Sequence, residues 1–173
     1  SCGRLYLCEA APNVRDKLRA QFGRKDTIVV VSPEEVEALP PASLDLVVAN
    51  SLLQYLSRDE LKALLETWRD RLKPGGALIL ADVIPPDVSP LTDASQLLAF
   101  AWRGGFFLAA LGGLVRTAFS DYRKLRAQYG LSTYTAEAIT ELIREAGFAD
   151  VRRPANFGHN PHRMTFKAIK AAT

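Results

Sequence analysis

Glu9 is the first residue whose type and position suggest chemistry, because it directly follows a short apolar segment, Arg4–Cys8, that predicts a β-strand. A carboxylate at the end of a strand can accept hydrogen bonds from both hydroxyls of a ribose. The same position also suits a solvated charge that only ends the strand. Glu9 is therefore a candidate nucleotide-binding residue with a structural alternative.

Few other side chains are suited to proton transfer. The two histidines, His159 and His162, lie in the segment Phe157–His162 between the last two predicted strands, and Asp82 ends an earlier strand. Each of the three could act as a general base, but a structural or solvent-exposed role in the loop is favoured for the histidines. The sequence alone assigns no catalytic residue, and it predicts no metal site.

Composition narrows the class of protein. The chain has 173 residues, 48% of them hydrophobic, and a net charge of +3 from 22 basic and 19 acidic residues. This length predicts one domain, residues 1–173, and the weak charge gives no reason to expect nucleic acid as a partner. The two cysteines, Cys2 and Cys8, are too few for a disulfide framework. No signal peptide is predicted, so we expect a cytoplasmic protein.

The elements that position these residues alternate between strands and helices. Apolar runs predict strands, and apolar residues at helical spacing predict the helices. Alternation of this kind predicts an α/β fold with a mostly parallel sheet and helices on both faces. The final strand alternates apolar and polar residues, which favours an antiparallel position. The predicted strands are Arg4–Cys8, Thr27–Val31, Leu44–Asn50, Ala77–Val83, Phe148–Arg153 and Arg163–Lys170, and the predicted helices include Pro12–Phe22, Pro33–Leu39, one that begins at Ser57, and Thr135–Ala146.

Ligands bind at the carboxyl ends of the strands in sheets of this kind. The segments that follow the strands are therefore the places to expect a binding site. They are Glu9–Ala10, Ser32–Pro33, Asn50–Tyr55 and Asp82–Pro86.

Three segments together resemble a known family. They are Ser43–Leu56 (SLDLVVANSLLQYL), Leu72–Leu80 (LKPGGALIL) and Tyr134–Phe148, which begins YTAE and ends EAGF. Their order and spacing resemble class I, Rossmann-like S-adenosylmethionine-dependent methyltransferases. The resemblance covers nearly the whole chain apart from Asp87–Thr133. It implies a three-layer Rossmann-like fold with an antiparallel hairpin at the C-terminus, and S-adenosylmethionine as the cofactor.

The resemblance assigns the adenosine part of the cofactor to four residues. Glu9 matches the acid that binds the ribose hydroxyls, and Ala10 matches a neighbour that packs on the adenine. Ser32 and Pro33 match positions near the edge of the adenine. The family often has an aspartate there, so this chain departs from the pattern at that contact.

Four more residues match the methionine side of the cofactor. Asn50 and Ser51 correspond to positions beside the methionine part. Gln54 and Tyr55 replace a frequent histidine or histidine pair that faces the transferred methyl group. For Tyr55, packing against the segment Asp87–Thr133 is the structural alternative.

The largest departure is at the start of the chain. The family opens with a strand and a glycine-rich turn, and Ser1–Gly3 cannot supply that turn. Three explanations remain open: a fragment of a longer protein, direct pairing of the two strands that flank the gap, or a strand supplied by a second copy. The last would make a homodimer through exposed sheet edges. We expect weak cofactor binding and little or no turnover from the chain as given.

The segment Asp87–Thr133 is predicted to be a helical insert that shapes acceptor specificity. Its aromatic residues favour burial as a packed lid, and the functional alternative is that the same packing forms a pocket for a small, hydrophobic acceptor. The candidate substrate residues are Trp102, Phe106, Tyr129, Tyr134 and His159.

Within this insert, Leu97–Val115 is nearly long enough to span a membrane and contains one charge, Arg103. The glycine pairs Gly104–Gly105 and Gly112–Gly113 favour two short buried helices instead. An apolar surface that touches a membrane is intermediate between these alternatives.

Three functions compete at this point. The first is a small-molecule methyltransferase, and the second is a binding or interaction module of the same fold without catalysis. The third is a nicotinamide-dependent enzyme, because Glu9 would also suit the ribose of that cofactor. The turn Lys73–Gly76 and the predicted C-terminal hairpin argue against the third, and no Tyr-x-x-x-Lys pair is present.

Overall fold

The structure, a computed structural model, describes residues 3–88, 90–109, 111–112, 132–158 and 160–172. The chain divides into two compact units, Ser1–Ser43 and Leu44–Thr173. Alternation of strands and helices predicts one sheet. The described strands instead form two sheets, one in each unit.

The first unit is a single strand–helix–strand repeat followed by a short helix. Strand β1 (Leu5–Cys8) pairs in parallel with β2 (Ile28–Val31), and α1 (Pro12–Phe22) connects them. Helix α2 (Pro33–Glu37) follows β2 directly. Gly23 follows α1, and a glycine at this place commonly ends a helix in the left-handed conformation. Its φ of −62° is right-handed instead.

The second unit contains a four-stranded sheet whose strands, in spatial order, are β3 (Leu44–Asn50), β4 (Leu72–Val83), β6 (Met164–Lys170) and β5 (Phe148–Arg152). Strand β3 (Leu44–Asn50) is parallel to β4 (Leu72–Val83). Strands β5 (Phe148–Arg152) and β6 (Met164–Lys170) form the antiparallel side, because β6 pairs in the antiparallel sense with both β4 and β5. This change from parallel to antiparallel pairing confirms the predicted C-terminal hairpin and the α/β class.

Strand β4 starts earlier than predicted. It begins at Leu72, and the register moves from Leu44 opposite Leu72 to Leu46 opposite Ala77, so Lys73–Gly76 bulges out of the ladder. Gly75 has a φ of +77°, which favours glycine. The LKPGG motif therefore forms a bulge inside the strand rather than a turn before it.

Two helices cover the core of this unit. Helix α3 (Arg58–Arg71) begins after the cap residue Ser57, whose hydroxyl accepts a hydrogen bond from the backbone N–H of Glu60 at 3.3 Å. In return the Ser57 backbone N–H bonds to the Glu60 carboxylate, which lowers the pKa of Glu60. Helix α5 (Ala136–Glu145) begins after the cap residue Thr135. The fully or nearly fully buried side chains of the core include Leu61, Leu65, Leu78, Leu80, Ile139, Leu142, Ile143 and Phe166.

The predicted burial of the insert is wrong for several of its described apolar side chains, although Ala101 is fully buried. Helix α4 (Pro90–Arg103) ends where Gly105 takes a φ of +75° and the Phe106 N–H returns to the Ala101 carbonyl at 2.9 Å. Around this break Trp102 is 73% exposed and Leu108 is 82% exposed. Four aromatic rings near the break form two edge-to-face pairs. The ring centroids of Phe100 and Phe106 are 5.7 Å apart, and those of Trp102 and Phe107 are 5.6 Å apart.

The break at Gly104–Gly105 is confirmed, whereas Gly113 lies outside the described residues. No helix in the part of the chain that the structure describes combines the length and the apolar character needed to cross a membrane. Apolar composition alone had suggested burial, but the turn after α4 directs these rings toward each other and toward the surface.

We predict that replacing Leu65 with alanine lowers the free energy of unfolding by about 2–5 kcal/mol, because the side chain is fully buried and its removal leaves a cavity. The matched control is Leu108→Ala, where the exposed side chain should cost less than about 0.5 kcal/mol. Denaturant titration followed by circular dichroism measures both. Equal losses in the two variants would contradict the described core.

Candidate functional site

In the first unit, Glu9 is held by the start of α1. One oxygen of its carboxylate accepts a hydrogen bond from the backbone N–H of Ala11 at 2.8 Å. The Arg15 guanidinium donates to the backbone carbonyls of Glu9 at 2.7 Å and Ala10 at 3.1 Å. The second carboxylate oxygen of Glu9 has no hydrogen bond to any described residue. Glu9 is thus more than a solvated end of a strand: it is fixed in position with one acceptor oxygen still available.

Ser32 and Pro33 begin α2 at the end of β2. The Ser32 hydroxyl accepts from the Glu35 backbone N–H at 3.3 Å, and the Ser32 N–H donates to the Glu35 carboxylate at 2.7 Å. This capping box takes up the Ser32 side chain. A contact of Ser32 or Pro33 with adenine stays a prediction.

In the second unit, the end of β3 is tied to the end of β4. The Ser51 N–H bonds to the Ala81 carbonyl at 3.0 Å, and the Ser51 hydroxyl donates to the Asp82 carboxylate at 2.6 Å. The exposed Asn50 amide donates to the Ser51 hydroxyl at 3.3 Å. Ser51 has a φ of +53° and Asp82 a φ of +62°. Such backbone conformations are uncommon for residues other than glycine, and they persist where the surrounding contacts determine them.

Asp82 is the centre of these contacts, and it is buried, with 8% of the residue exposed. The carboxylate oxygen that accepts from Ser51 also accepts from the Arg163 guanidinium at 2.5 Å. The other oxygen accepts from the Asn156 amide at 3.5 Å. A side chain at Gly158 would bring its Cβ within 2.9 Å of that oxygen, so the close approach requires glycine there.

A second set of buried groups supports Asn156. Its side-chain oxygen accepts from the Asp82 N–H at 3.2 Å and from the Thr165 hydroxyl at 2.8 Å. Its amide nitrogen donates to the Asn160 carbonyl at 2.9 Å. Thr165 and Asn160 are fully buried. We call the five residues Ser51, Asp82, Asn156, Arg163 and Thr165 the Asp82 network.

The Asp82 network changes the interpretation of Asp82. Three side chains donate to its carboxylate, so the arrangement favours positioning of the chain over proton transfer. Sequence reasoning missed Asn156, Asn160, Arg163 and Thr165. A polar loop rich in turn-forming residues was visible there, but Asp82 is 74 to 81 positions away along the chain from its partners Asn156 and Arg163.

Gln54 and Tyr55 lie in a single 3₁₀ turn, Leu53–Tyr55, that follows β3. The Gln54 carbonyl accepts from the Ser132 N–H at 3.0 Å, whereas the buried side-chain oxygen of Gln54 has no hydrogen-bond partner among the described residues. Tyr55 is 57% exposed. An unpartnered buried acceptor of this kind is uncommon in folded proteins.

The predicted substrate residues do not form one group. Tyr134 is buried in the core, its hydroxyl is 3.4 Å from the Leu56 carbonyl, and burial raises its pKa. Trp102 and Phe106 are exposed beside the turn after α4. Tyr129 and His159 lie outside the described residues. The second histidine, His162, donates its backbone N–H to the Asn160 side-chain oxygen at 2.9 Å.

Comparison with known proteins gives matches in sequence and in fold. Residues 1–78 match the family model described as a methyltransferase domain. The chain is 35% identical over 81 residues to the carboxy-S-adenosyl-L-methionine synthase of Erwinia tasmaniensis, a match that covers 46% of this chain and 33% of that protein. The chain therefore matches about a third of the length of this curated relative.

Solved structures agree over almost the whole chain. The apo form of the S-adenosylmethionine-dependent methyltransferase SibL has a TM-score of 0.61 at 20% identity, with 97% of this chain and 43% of that chain covered. Human N-acetylserotonin methyltransferase in complex with SAM has a TM-score of 0.59 at 18% identity, covering 97% and 41%. At such identities the likeness shows the fold.

We predict strong energetic coupling between Asp82 and Arg163. In a double-mutant cycle of Asp82→Asn and Arg163→Gln, the coupling energy should be about 2 kcal/mol, because the pair is buried and each partner alone is left uncompensated. The control is the exposed pair Asp45 and Lys73, at 2.7 Å, where Asp45→Asn and Lys73→Gln should couple by less than about 1 kcal/mol. Urea unfolding of the seven proteins, namely the unchanged chain, four single variants and two double variants, supplies the energies. Similar coupling in both cycles would contradict the proposed importance of the network.

Proposed function

We propose that the chain is a class I S-adenosylmethionine-dependent methyltransferase, and that it takes part in the transfer of a methyl group from S-adenosylmethionine to a small acceptor. The observation that carries this proposal is the methyltransferase family match over residues 1–78, which includes Glu9 with its one available carboxylate oxygen. Activity and acceptor belong to the proposal, since the chain covers only part of the length of its relatives.

We propose that Glu9 binds the ribose hydroxyls of the cofactor. The Ala11 N–H and the Arg15 guanidinium fix this part of the chain before any ligand arrives, so little ordering is required on binding. The exposed Ala10 would pack on the adenine, and Ser32 and Pro33 would lie near its edge. Since the Ser32 hydroxyl oxygen already caps α2, its contact would be packing rather than acceptance of a hydrogen bond.

In the second unit, we propose that Asn50 and Ser51 lie beside the methionine part of the cofactor. The Asp82 network holds Ser51 in its left-handed conformation and thereby sets the direction of the exposed Asn50 side chain. The unpartnered oxygen of Gln54 suits a cationic ligand group, because S-adenosylmethionine carries an ammonium and a sulfonium. Tyr55 would face the transferred methyl group.

Methyl transfer requires little acid–base catalysis from the protein. The sulfonium of S-adenosylmethionine supplies an already activated methyl group. The residues of this chain would therefore act by orienting the cofactor and by excluding water rather than by forming covalent bonds. This agrees with the engagement of Asp82 by Ser51, Asn156 and Arg163, which leaves it a positioning role.

The exposed apolar residues Trp102 and Phe106 support a hydrophobic acceptor. Tyr134 takes no part in this proposal, because it is buried in the core. We expect residues 1–173 alone to bind the cofactor weakly and to turn over little. The full gene product that contains this chain is therefore the second sample in the test below.

We predict that Glu9→Gln weakens binding of S-adenosylhomocysteine by about 10-fold or more, since a hydrogen bond to a charged group contributes about 1.5–3 kcal/mol. Glutamine keeps an oxygen for the Ala11 N–H, so the fold should be preserved. Glu37→Gln, at the end of α2, is the control and should leave the Kd unchanged.

Isothermal titration calorimetry measures the Kd for S-adenosylhomocysteine of the unchanged protein, Glu9→Gln and Glu37→Gln. The titrations use residues 1–173, and they use the full gene product if the signal is too small. Equal affinity of Glu9→Gln and the unchanged protein would contradict the role of Glu9. Absence of binding in both samples would overturn the cofactor assignment and favour a non-catalytic binding module of the same fold.

A further inference from the structure

An open cleft in the second unit lies beside the Asp82 network. One side is formed by the end of α4, at Phe100, Arg103 and Gly104, and the other side by Asn156, Gly158 and Pro161 between β5 and β6. All of these residues are described, and the cleft lies wholly within one compact unit.

The cleft is located at the carboxyl end of β4. Asn156, which lines it, accepts a hydrogen bond from the Asp82 N–H, and Gly158 lies against the Asp82 carboxylate. Ligands of open α/β sheets bind at this end of the strands. The position therefore suits a small molecule bound next to the cofactor residues Asn50 and Ser51 proposed above.

The polar side chains of the cleft differ in how many of their hydrogen-bonding atoms are already occupied. The Asn156 side chain is already occupied by Asp82, Thr165 and Asn160. Arg103 differs: its Nε donates to the Ala99 carbonyl at 3.2 Å, and no described carboxylate forms an ion pair with it. The two terminal nitrogens of this guanidinium have no partner among the described residues, and Arg103 carries the one formal charge among the described residues that line the cleft.

The remaining surface is apolar. Phe100 is 46% exposed, its ring is supported edge to face by Phe106 at 5.7 Å, and Pro161 lies on the opposite side. A guanidinium at the rim of an apolar wall recognises a carboxylate through two parallel hydrogen bonds. A cation alone would be repelled, and a neutral apolar molecule would leave the charge unused.

We propose that this cleft binds an aromatic carboxylic acid, with the carboxylate on Arg103 and the ring against Phe100. If this ligand is also the methyl acceptor, that role rests on the function proposed above. Binding itself requires no cofactor and no turnover, so it can be tested separately.

The test uses 2-naphthoate as the probe and neutral 2-naphthamide as the matched control ligand. Residues 1–173 labelled with ¹⁵N are titrated with each, and the amide signals of Gly104 and Gly158 report binding in the cleft. We expect naphthoate to shift both signals, and Arg103→Gln to weaken its binding by about 10-fold or more. Arg144→Gln, an exposed arginine on α5, removes the same charge elsewhere and should leave the affinity unchanged.

Three results would overturn the proposal: equal binding of naphthoate and naphthamide, unchanged affinity in Arg103→Gln, or no shift at Gly104 and Gly158 at millimolar naphthoate. Arg103→Lys gives a further check, because it keeps the charge but loses the planar fork, and we expect intermediate affinity. The readout is carboxylate binding. Its failure therefore leaves the calorimetric result with S-adenosylhomocysteine untouched, and the two proposals fail independently.

Discussion

The buried carboxylate of Asp82 is the constraint on which the site in the second unit depends. A charged group removed from water requires compensating partners, and Asp82 obtains them from three different parts of the chain: Ser51 after β3, Asn156 after β5 and Arg163 before β6. One charge thereby fixes the relative positions of the segments that surround the ends of β3 and β4. The candidate binding residues on this side, Asn50 and Ser51, are placed by that arrangement rather than by the sheet alone.

Several local features follow from the same constraint. The left-handed backbone at Ser51 is held because its hydroxyl and its N–H are both bonded to β4 or to Asp82. Gly158 is required because its backbone approaches the Asp82 carboxylate. The loop that contains Gly158 also forms one side of the cleft whose other side carries Arg103. The geometry of the cleft and that of the strand ends are therefore linked through a single buried group.

Much of the fold could be predicted from local sequence, because local physics determines it. The bounds of α1 and β3 and the Ser57 capping box agree with their residue patterns. The Asp82 network could not be predicted, since its members are far apart in sequence and no periodicity marks a buried polar contact. The exposure of Trp102 was missed for another reason: composition reports how apolar a segment is, but the turn at Gly105 decides where its rings point.

The most direct measurement is a titration of ¹⁵N-labelled protein with S-adenosylhomocysteine, followed residue by residue through the amide signals. We predict that the largest shifts fall at Glu9–Ala11, at Asn50–Tyr55 and at Asp82, because the proposed cofactor contacts and the Asp82 network lie there. Signals on the outer side of α5, such as Glu137 and Arg144, should not move. Shifts confined to α5, or none at saturating ligand, would contradict the proposal that these strand ends bind the cofactor.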